Sequence, residues 1–171
     1  MSQLRDKLSE KIQAFRPRTA KLTKEYADVV IDKVDIGQCM GGARDVKCLV
    51  TDISYLDAQE GIRFRGKTIP ETFAALPKAH GSVYPTVESF WYFLLTGDIP
   101  TQAQVDEVVA QWKTRQEVPR YVFDVIRALP RDSHPMVMLS SAILVLQKES
   151  KFAAYYNAGK FNKMNAWEPV Y

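Results

Sequence analysis

The stretch that decides the fold runs from Met40 to Glu71 and reads MGGARDVKCLVTDISYLDAQEGIRFRGKTIPE. Its densest part, residues 60–66, places an aromatic residue between two arginines and brackets them with two glycines. Because side chains alternate along an extended chain, the apolar residues of this part share one face and the arginines share the other. The glycines permit positive φ or a close approach of the backbone. The pattern predicts a small β element within residues 46–65 that has one buried side.

A first helix is predicted near the N-terminus. Four apolar residues recur there at helical spacing: Leu4, Leu8, Ile12 and Phe15. Ser2 is a suitable N-cap and Pro17 a suitable stop. The stripe therefore predicts an amphipathic helix over residues 2–16.

Four further helices are expected after the β element, over residues 87–96, 101–116, 119–129 and 135–150. Gly97 is placed as a left-handed C-cap of the first, and Thr101 with Gln104 forms a capping box at the start of the second. The last contains Met136–Leu146, which is apolar on all sides, so neighbouring elements must cover it. With no repeat or linker, the sequence predicts a mainly α chain that is one domain or part of one.

Composition and charge exclude several classes of function. The chain has 171 residues, of which 46% are apolar and 25% charged, with a net charge of +3. The excess of basic residues belongs to residues 1–25, and no basic stripe with a known motif indicates nucleic-acid binding. The longest apolar stretch is about half of what a membrane span needs. The acidic residues of the first helix argue against a mitochondrial presequence.

The cysteines and histidines do not form a recognisable site. Cys39, Cys48, His80 and His134 are separated far more widely than zinc ligands are. The two cysteines are expected to be free thiols. His134 precedes a proline and is interpreted as a helix entry, and His80 as a solvated loop residue. No metal site is predicted.

Three polar residues of the deciding stretch are candidates for a structural or a binding role. Asp57 and Glu60 lie at an expected turn, where a turn-capping aspartate is the simpler interpretation. Arg44 follows Gly41-Gly42, so a sharp backbone turn can present its guanidinium to a phosphate. An exposed arginine after a turn is the alternative interpretation of Arg44.

The deciding stretch resembles, nearly letter for letter, the early segment of eukaryotic-type citrate synthases. In that family a Gly-Gly-x-Arg turn leads through a short apolar strand to Leu-Asp-x-x-Glu-Gly-Ile-Arg-Phe-Arg-Gly and then Ile-Pro-Glu. Other family segments follow in the same order: Leu76–Ala79, Phe90–Gly97, Ile99–Thr101, Gln104-Val105, His134–Met136, and Trp167-Glu168 with Tyr171. Citrate synthases are more than twice as long. The resemblance implies that residues 1–171 form the N-terminal part of the family's multi-helical large domain.

The resemblance also implies an activity. The family's acyltransferases condense acetyl-CoA with oxaloacetate and water to give citrate and CoA, the entry step of the tricarboxylic acid cycle. They work as homodimers, bind no permanent cofactor and, in eukaryotes, reside in the mitochondrial matrix; a cytoplasmic location stays open because no presequence is visible. Their catalytic residues lie in the second half, so none is expected here and the chain alone is predicted to be inactive. Arg44 inherits a contact with the phosphates of acetyl-CoA. The alternative is a short, non-catalytic relative that serves as a binding or assembly module.

Three residues depart from the family pattern. Asp45 and Cys48 stand where the family usually has glycine, and Pro169 stands where it has an aliphatic residue within a helix. If position 45 adopts positive φ, aspartate is among the residues that tolerate it best, at a cost of about 1 kcal/mol. Its carboxylate would, however, compete with phosphate for Arg44.

Overall fold

A computed structural model describes residues 2–57, 59–162 and 167. Its elements, in chain order, are α1 (Gln3–Glu25), α2 (Ile36–Met40), β1 (Ser54–Asp57), β2 (Gly61–Phe64), β3 (Lys67–Thr68), α3 (Ile69–Ala75), α4 (Val87–Thr96), α5 (Gln102–Thr114), α6 (Arg120–Ala128), α7 (Pro135–Val145), a 3-10 turn (Leu146–Glu149) and α8 (Lys151–Asn157). The chain is 55% helical and contains one three-stranded sheet in the part that is described. The predicted mainly α fold class is confirmed.

The chain divides into two compact units, Met1–Trp112 and Lys113–Tyr171. The boundary lies within the last turn of α5, so no change in composition marks it. This explains why the sequence shows no linker. None of the described helices is both long enough and apolar enough to cross a lipid bilayer.

The core of the first unit forms where α1 packs against α4. Its buried apolar side chains are Leu4, Leu8, Leu76, Tyr92, Phe93, Val105 and Val108. The carboxylate of Asp98, just after α4, accepts a hydrogen bond from Lys11 at 2.7 Å and lies 3.4 Å from Lys7, so α1 is also held by charge. Burial alone would raise the pKa of Asp98, but the ammonium groups of Lys11 and Lys7 outweigh it and lower that pKa.

The first helix does not end where the sequence predicts. Ser2 caps its N-terminus by accepting a hydrogen bond from the Arg5 N–H, as expected, but the helix passes through Pro17 and reaches Glu25. A proline inside a helix removes one backbone donor and its ring crowds the carbonyl four residues earlier. This lowers stability, but the chain stays helical on both sides of Pro17. Beyond Pro17, Thr19 and Thr23 bond back to carbonyls three or four residues earlier. The predicted stop at residue 16 is therefore wrong.

The three strands form an antiparallel sheet in the order β1-β2-β3. In the β1-β2 turn, Asp57 accepts hydrogen bonds from the Gln59 and Glu60 N–H groups at 2.8 and 2.9 Å. These two bonds lower the pKa of Asp57 and confirm it as a turn-capping residue. The sheet occupies Ser54–Thr68 rather than residues 46–65, because residues 46–52 find no strand partner and Ile53 contributes only its carbonyl, which accepts a hydrogen bond from the Arg65 N–H at 2.7 Å.

The helix signals in the sequence correspond to observed caps. Gly97 adopts φ of 78° and closes α4, while Thr101 and Gln104 exchange backbone and side-chain hydrogen bonds before α5. A second capping box, Thr68 with Glu71, opens α3. The helices predicted over residues 101–116 and 119–129 are shorter by one or two residues at either end.

In the second unit, α6 packs against α7, and Tyr121 donates a hydrogen bond to Glu149 at 2.9 Å. The helix predicted over residues 135–150 consists of α7 followed by the tighter 3-10 turn. No residue of α7 is buried, and its most exposed apolar side chains are Met136, Val137, Leu139, Ile143 and Leu144. The second unit thus does not by itself supply the cover that this apolar helix requires. Trp167 is described, whereas the family positions Glu168, Pro169 and Tyr171 lie outside the described residues.

Candidate functional site

The residue predicted to bind a phosphate, Arg44, lies in a turn directly after α2. This helix has a single turn and is stabilised by a complete capping box. Asp35 accepts a hydrogen bond from the Gln38 N–H at 2.7 Å, and the Gln38 side chain accepts one from the Asp35 N–H at 3.0 Å. The short helix is therefore a defined support for the turn that carries Arg44.

The turn itself is built from unusual backbone conformations. Gly42, Ala43 and Asp45 have positive φ values of 76°, 59° and 59°. The N–H of Ala43 donates to the Gln38 carbonyl at 2.9 Å, and the Gln38 side chain donates to the Arg44 carbonyl at 3.4 Å. The Gln38 side chain thus bonds to the backbone carbonyl of Arg44 and also caps α2.

Glycine at position 41 permits close packing and does not adopt an unusual φ. A Cβ atom at this position would lie 3.2 Å from the carbonyl oxygen of Gly37 and 3.8 Å from the Cβ of Arg44. Together with Gly42, this confirms that the glycine pair allows a sharp turn. The positive φ of Asp45 shows that aspartate occupies a backbone conformation that favours glycine.

The guanidinium of Arg44 is directed to solvent and forms no ion pair with any described residue. A recess of about 300 Å³ lies beside it and is lined by Asp35, Gly37, Gln38, Gly41, Arg44 and Asp45. Asp45 borders the same recess without forming an ion pair with Arg44. The recess combines one guanidinium with two carboxylates, so it can contribute one phosphate contact but cannot by itself neutralise a polyanion.

Arg63 in β2 and Arg65 directly after it make structural contacts rather than facing a ligand site. Arg63 forms an ion pair with Glu60 and donates to the Gly66 carbonyl at 3.1 Å, which closes the hairpin. The Glu60 carboxylate raises the pKa of Arg63. Arg65 donates to the Leu94 carbonyl through Nε at 2.9 Å and through Nη2 at 2.6 Å.

Arg65 completes its contacts with the Leu95 carbonyl at 3.1 Å and the Asp52 carboxylate at 3.2 Å. Its side chain is only 15% exposed. The guanidinium therefore caps the negative end of the α4 dipole, where a cation is favoured. The alternation in the sequence places Arg65 on the face opposite Phe64, but Arg65 lies outside β2 with φ of 48°, and both side chains contact α4. The sequence could not predict this partner, because α4 is distant along the chain.

The remaining candidates are located as structural or solvated groups. Nδ1 of His134 accepts a hydrogen bond from the Met136 N–H at 3.1 Å, so this histidine is a helix cap. His80 is exposed in its loop. Cys39 and Cys48 are free and exposed. No three metal-ligating side chains gather anywhere in the part of the chain that the structure describes.

Gln38 is the residue of this site that the sequence interpretation missed. Its signal is the Asp-x-x-Gln spacing of residues 35–38, which is a capping-box pattern as informative as the one recognised at Thr101. Because α2 is only five residues long, apolar periodicity could not reveal it.

Comparison with known proteins places this geometry in context. Residues 42–171 match the family described as "Citrate synthase, C-terminal domain". The chain is 43% identical over 164 residues to the mitochondrial citrate synthase of Neurospora crassa, covering 96% of this chain and 35% of that protein. It is 44% identical over 160 residues to the Saccharomyces cerevisiae mitochondrial enzyme, covering 94% of this chain and 33% of that protein.

A relative with a different name is similar to nearly the same degree. The mitochondrial 2-methylcitrate synthase of Yarrowia lipolytica is 41% identical over 168 residues, covering 98% of this chain and 36% of that protein. The chain thus spans about a third of the length of these relatives.

Proposed function

Because this chain belongs to the citrate synthase family, we propose that it forms the part of a citrate-forming acyltransferase in which Arg44 binds a phosphate of acetyl-CoA. The complete reaction would join acetyl-CoA, oxaloacetate and water to give citrate and CoA. A homodimer in the mitochondrial matrix is the setting that the family and the names of the relatives support. The observation that carries the proposal is an exposed guanidinium on a hydrogen-bonded turn, which pairs with no carboxylate among residues 2–57, 59–162 and 167.

The turn is suited to this role because it is ordered by its own backbone. Gln38 bonds to both sides of the turn, so the position of Arg44 does not depend on a bound ligand. A turn whose backbone is already ordered loses less conformational entropy when its arginine binds a phosphate. Its planar guanidinium can donate two parallel hydrogen bonds to phosphate oxygens.

The acidic neighbours of Arg44 define how strong this contact can be. Asp35 uses one carboxylate oxygen to cap α2, whereas Asp45 accepts no hydrogen bond and makes no ion pair among the described residues. A phosphate beside Arg44 would meet repulsion from Asp45. CoA carries several phosphate charges, so further cations must come from outside this recess for tight binding.

The residues near Arg44 do not decide which acyl group the enzyme uses. A phosphate contact is remote from the reacting carbon, and binding there is shared by all CoA thioesters. The near-equal identities to the citrate and 2-methylcitrate synthases agree with this. This surface would therefore recognise the phosphate of any acyl-CoA, and the preference for acetyl-CoA in the proposal rests on the relatives named citrate synthase.

The proposal can be tested on the 171-residue chain by phosphorus NMR. CoA should show shifted phosphate resonances on addition of the chain, and Arg44→Ala should weaken this binding about tenfold, as expected for loss of a charge-assisted contact. Asp45→Asn should strengthen it. Arg131→Ala is the matched control, because it removes an exposed arginine from the second unit.

Comparison of CoA with dephospho-CoA identifies which phosphate is bound. An Arg44→Ala variant that binds CoA as well as the unmodified chain would refute the role of Arg44. The chain alone should release no CoA from acetyl-CoA and oxaloacetate, because none of its residues is assigned a catalytic role. The chain is produced in cells that lack host citrate synthase, and turnover above that of a preparation from the same cells without the chain would contradict this assignment. CoA binding without turnover also fits the non-catalytic binding module.

A further inference from the structure

A larger cleft lies in the first unit, away from the Arg44 turn. Its cavity has a volume of about 630 Å³, within the range of about 300–1,000 Å³ that small-molecule sites occupy. One wall is α1 between Leu8 and Arg18. The other is formed by Asp52-Ile53, the Arg65 side chain and the end of α4 from Leu95 to Gly97.

The floor of this cleft is apolar and partly exposed to solvent. Leu8 is buried, but Phe15, Ile53 and Leu95 remain 41%, 47% and 38% exposed. Their exposed surface lines the cavity. A ligand with an alkyl chain would remove it from water at a gain of about 25 cal/mol per Å².

The rim of the cleft is cationic, but most of its charges are already engaged. Lys11 pairs with Asp98, and Arg65 pairs with Asp52 and caps α4. Arg18 is different: its guanidinium lies 5.9 Å from the centre of the Phe15 ring, and no carboxylate of the described residues is within ion-pair distance of it. An uncompensated positive charge thus adjoins the apolar floor.

We propose that this cleft binds a single-chain amphipathic anion of the long-chain carboxylate class. The alkyl chain would lie on Leu8, Phe15, Ile53 and Leu95, and the carboxylate would accept paired hydrogen bonds from Arg18. A fully apolar ligand would leave the Arg18 charge unmatched, and a small hydrophilic anion would leave the floor in water. The inference does not depend on the role of Arg44.

Dodecanoate, used below its micelle-forming concentration with the full 171-residue chain, is the probe. Methyl NMR reports where it binds: Ile12 and Ile53 line the cleft, whereas Ile143 lies on the exposed face of α7. We expect saturable shifts at the two cleft isoleucines and small ones at Ile143. Equal shifts at all three would mean non-specific adsorption to apolar surface and would overturn the proposal.

Two substitutions separate the charge from the apolar floor. Arg18→Gln should weaken dodecanoate binding about tenfold, and Ile53→Asp should abolish the shift at Ile12. Arg131→Gln makes the same change of charge in the second unit and should have no effect. Dodecanol should bind equally to the unmodified chain and to Arg18→Gln.

The fold of each variant is verified by its unchanged Trp91 and Trp112 side-chain resonances, since these rings contact each other in the same unit. Unchanged dodecanoate binding by a folded Arg18→Gln would refute the proposed site. Methyl shifts at Ile12 and Ile53 that appear only with anionic vesicles and not with monomeric dodecanoate would also refute it, because the cleft would then bind a membrane surface.

Discussion

Replacement of Arg65 by alanine tests how the arginine that caps α4 stabilises the fold. The substitution removes three hydrogen bonds to the Leu94 and Leu95 carbonyls and the ion pair with Asp52. A hydrogen bond to a charged group contributes about 1.5–3 kcal/mol. Because the three bonds share one guanidinium and water can reach the freed carbonyls, the contributions do not add. We expect Arg65→Ala to lower the free energy of unfolding by about 2–4 kcal/mol.

The backbone of this residue provides an internal comparison. Arg65 has φ of 48°, a conformation that costs a non-glycine residue about 1 kcal/mol. Arg65→Gly loses the same contacts but relieves this cost, so it should be less destabilising than Arg65→Ala by about 1 kcal/mol. Arg63→Ala is the matched control, because Arg63 is 33% exposed and pairs with a surface glutamate, and it should cost less than about 1 kcal/mol.

Urea unfolding followed by tryptophan fluorescence measures these differences, since Trp91 lies on α4 and contacts Trp112 at a ring-centre distance of 5.3 Å. Hydrogen exchange of residues 87–97 localises the effect to α4. If Arg65→Ala unfolds within about 0.5 kcal/mol of the unmodified chain, the guanidinium does not stabilise α4. Equal stability of the alanine and glycine variants would refute the argument from backbone strain.

Three other predictions concern charge and exposed surface. The hydrogen bonds of the turn lower the pKa of Asp57 in the folded chain. The stability they contribute should therefore be present above the ordinary aspartate pKa of about 3.9 and lost as the pH falls through the lower folded value. Asp57→Ala should flatten the acid limb of a pH–stability curve, and an unchanged limb would contradict this. Asp98→Ala should lower stability by about 0.5–1 kcal/mol and raise hydrogen exchange in α1, with a smaller loss in high salt, whereas a salt-independent loss would indicate packing instead. The exposed apolar face of α7 should make the chain bind hydrophobic dye or self-associate at micromolar concentration, and Leu139→Glu with Ile143→Glu should suppress both; a monomeric, dye-silent unmodified chain would show that this face is covered.

Local signals in the sequence were sufficient for much of the fold. Caps and turns depend on residues within four positions of one another, so Gly97, Asp57 and the Thr101–Gln104 pair could be interpreted without knowledge of distant contacts. The amphipathic stripe of α1 similarly identified Leu4 and Leu8, which are buried, although Phe15 at its end is 41% exposed. The Arg44 turn belongs to the same class, since its glycines and the tolerance of Asp45 for positive φ are properties of single residues.

The sequence by itself determined the mainly α class, the family and the sharp turn before Arg44, because each rests on local chemistry or on a contiguous motif. Only the tertiary structure decided that α1 continues through Pro17, that residues 46–52 find no strand partner, and that Arg65 caps a helix about thirty positions away. It also showed the cleft beside α1 and the uncovered face of α7. These features depend on which distant segments meet, and a pattern of neighbouring residues contains no information about a partner that only folding brings near.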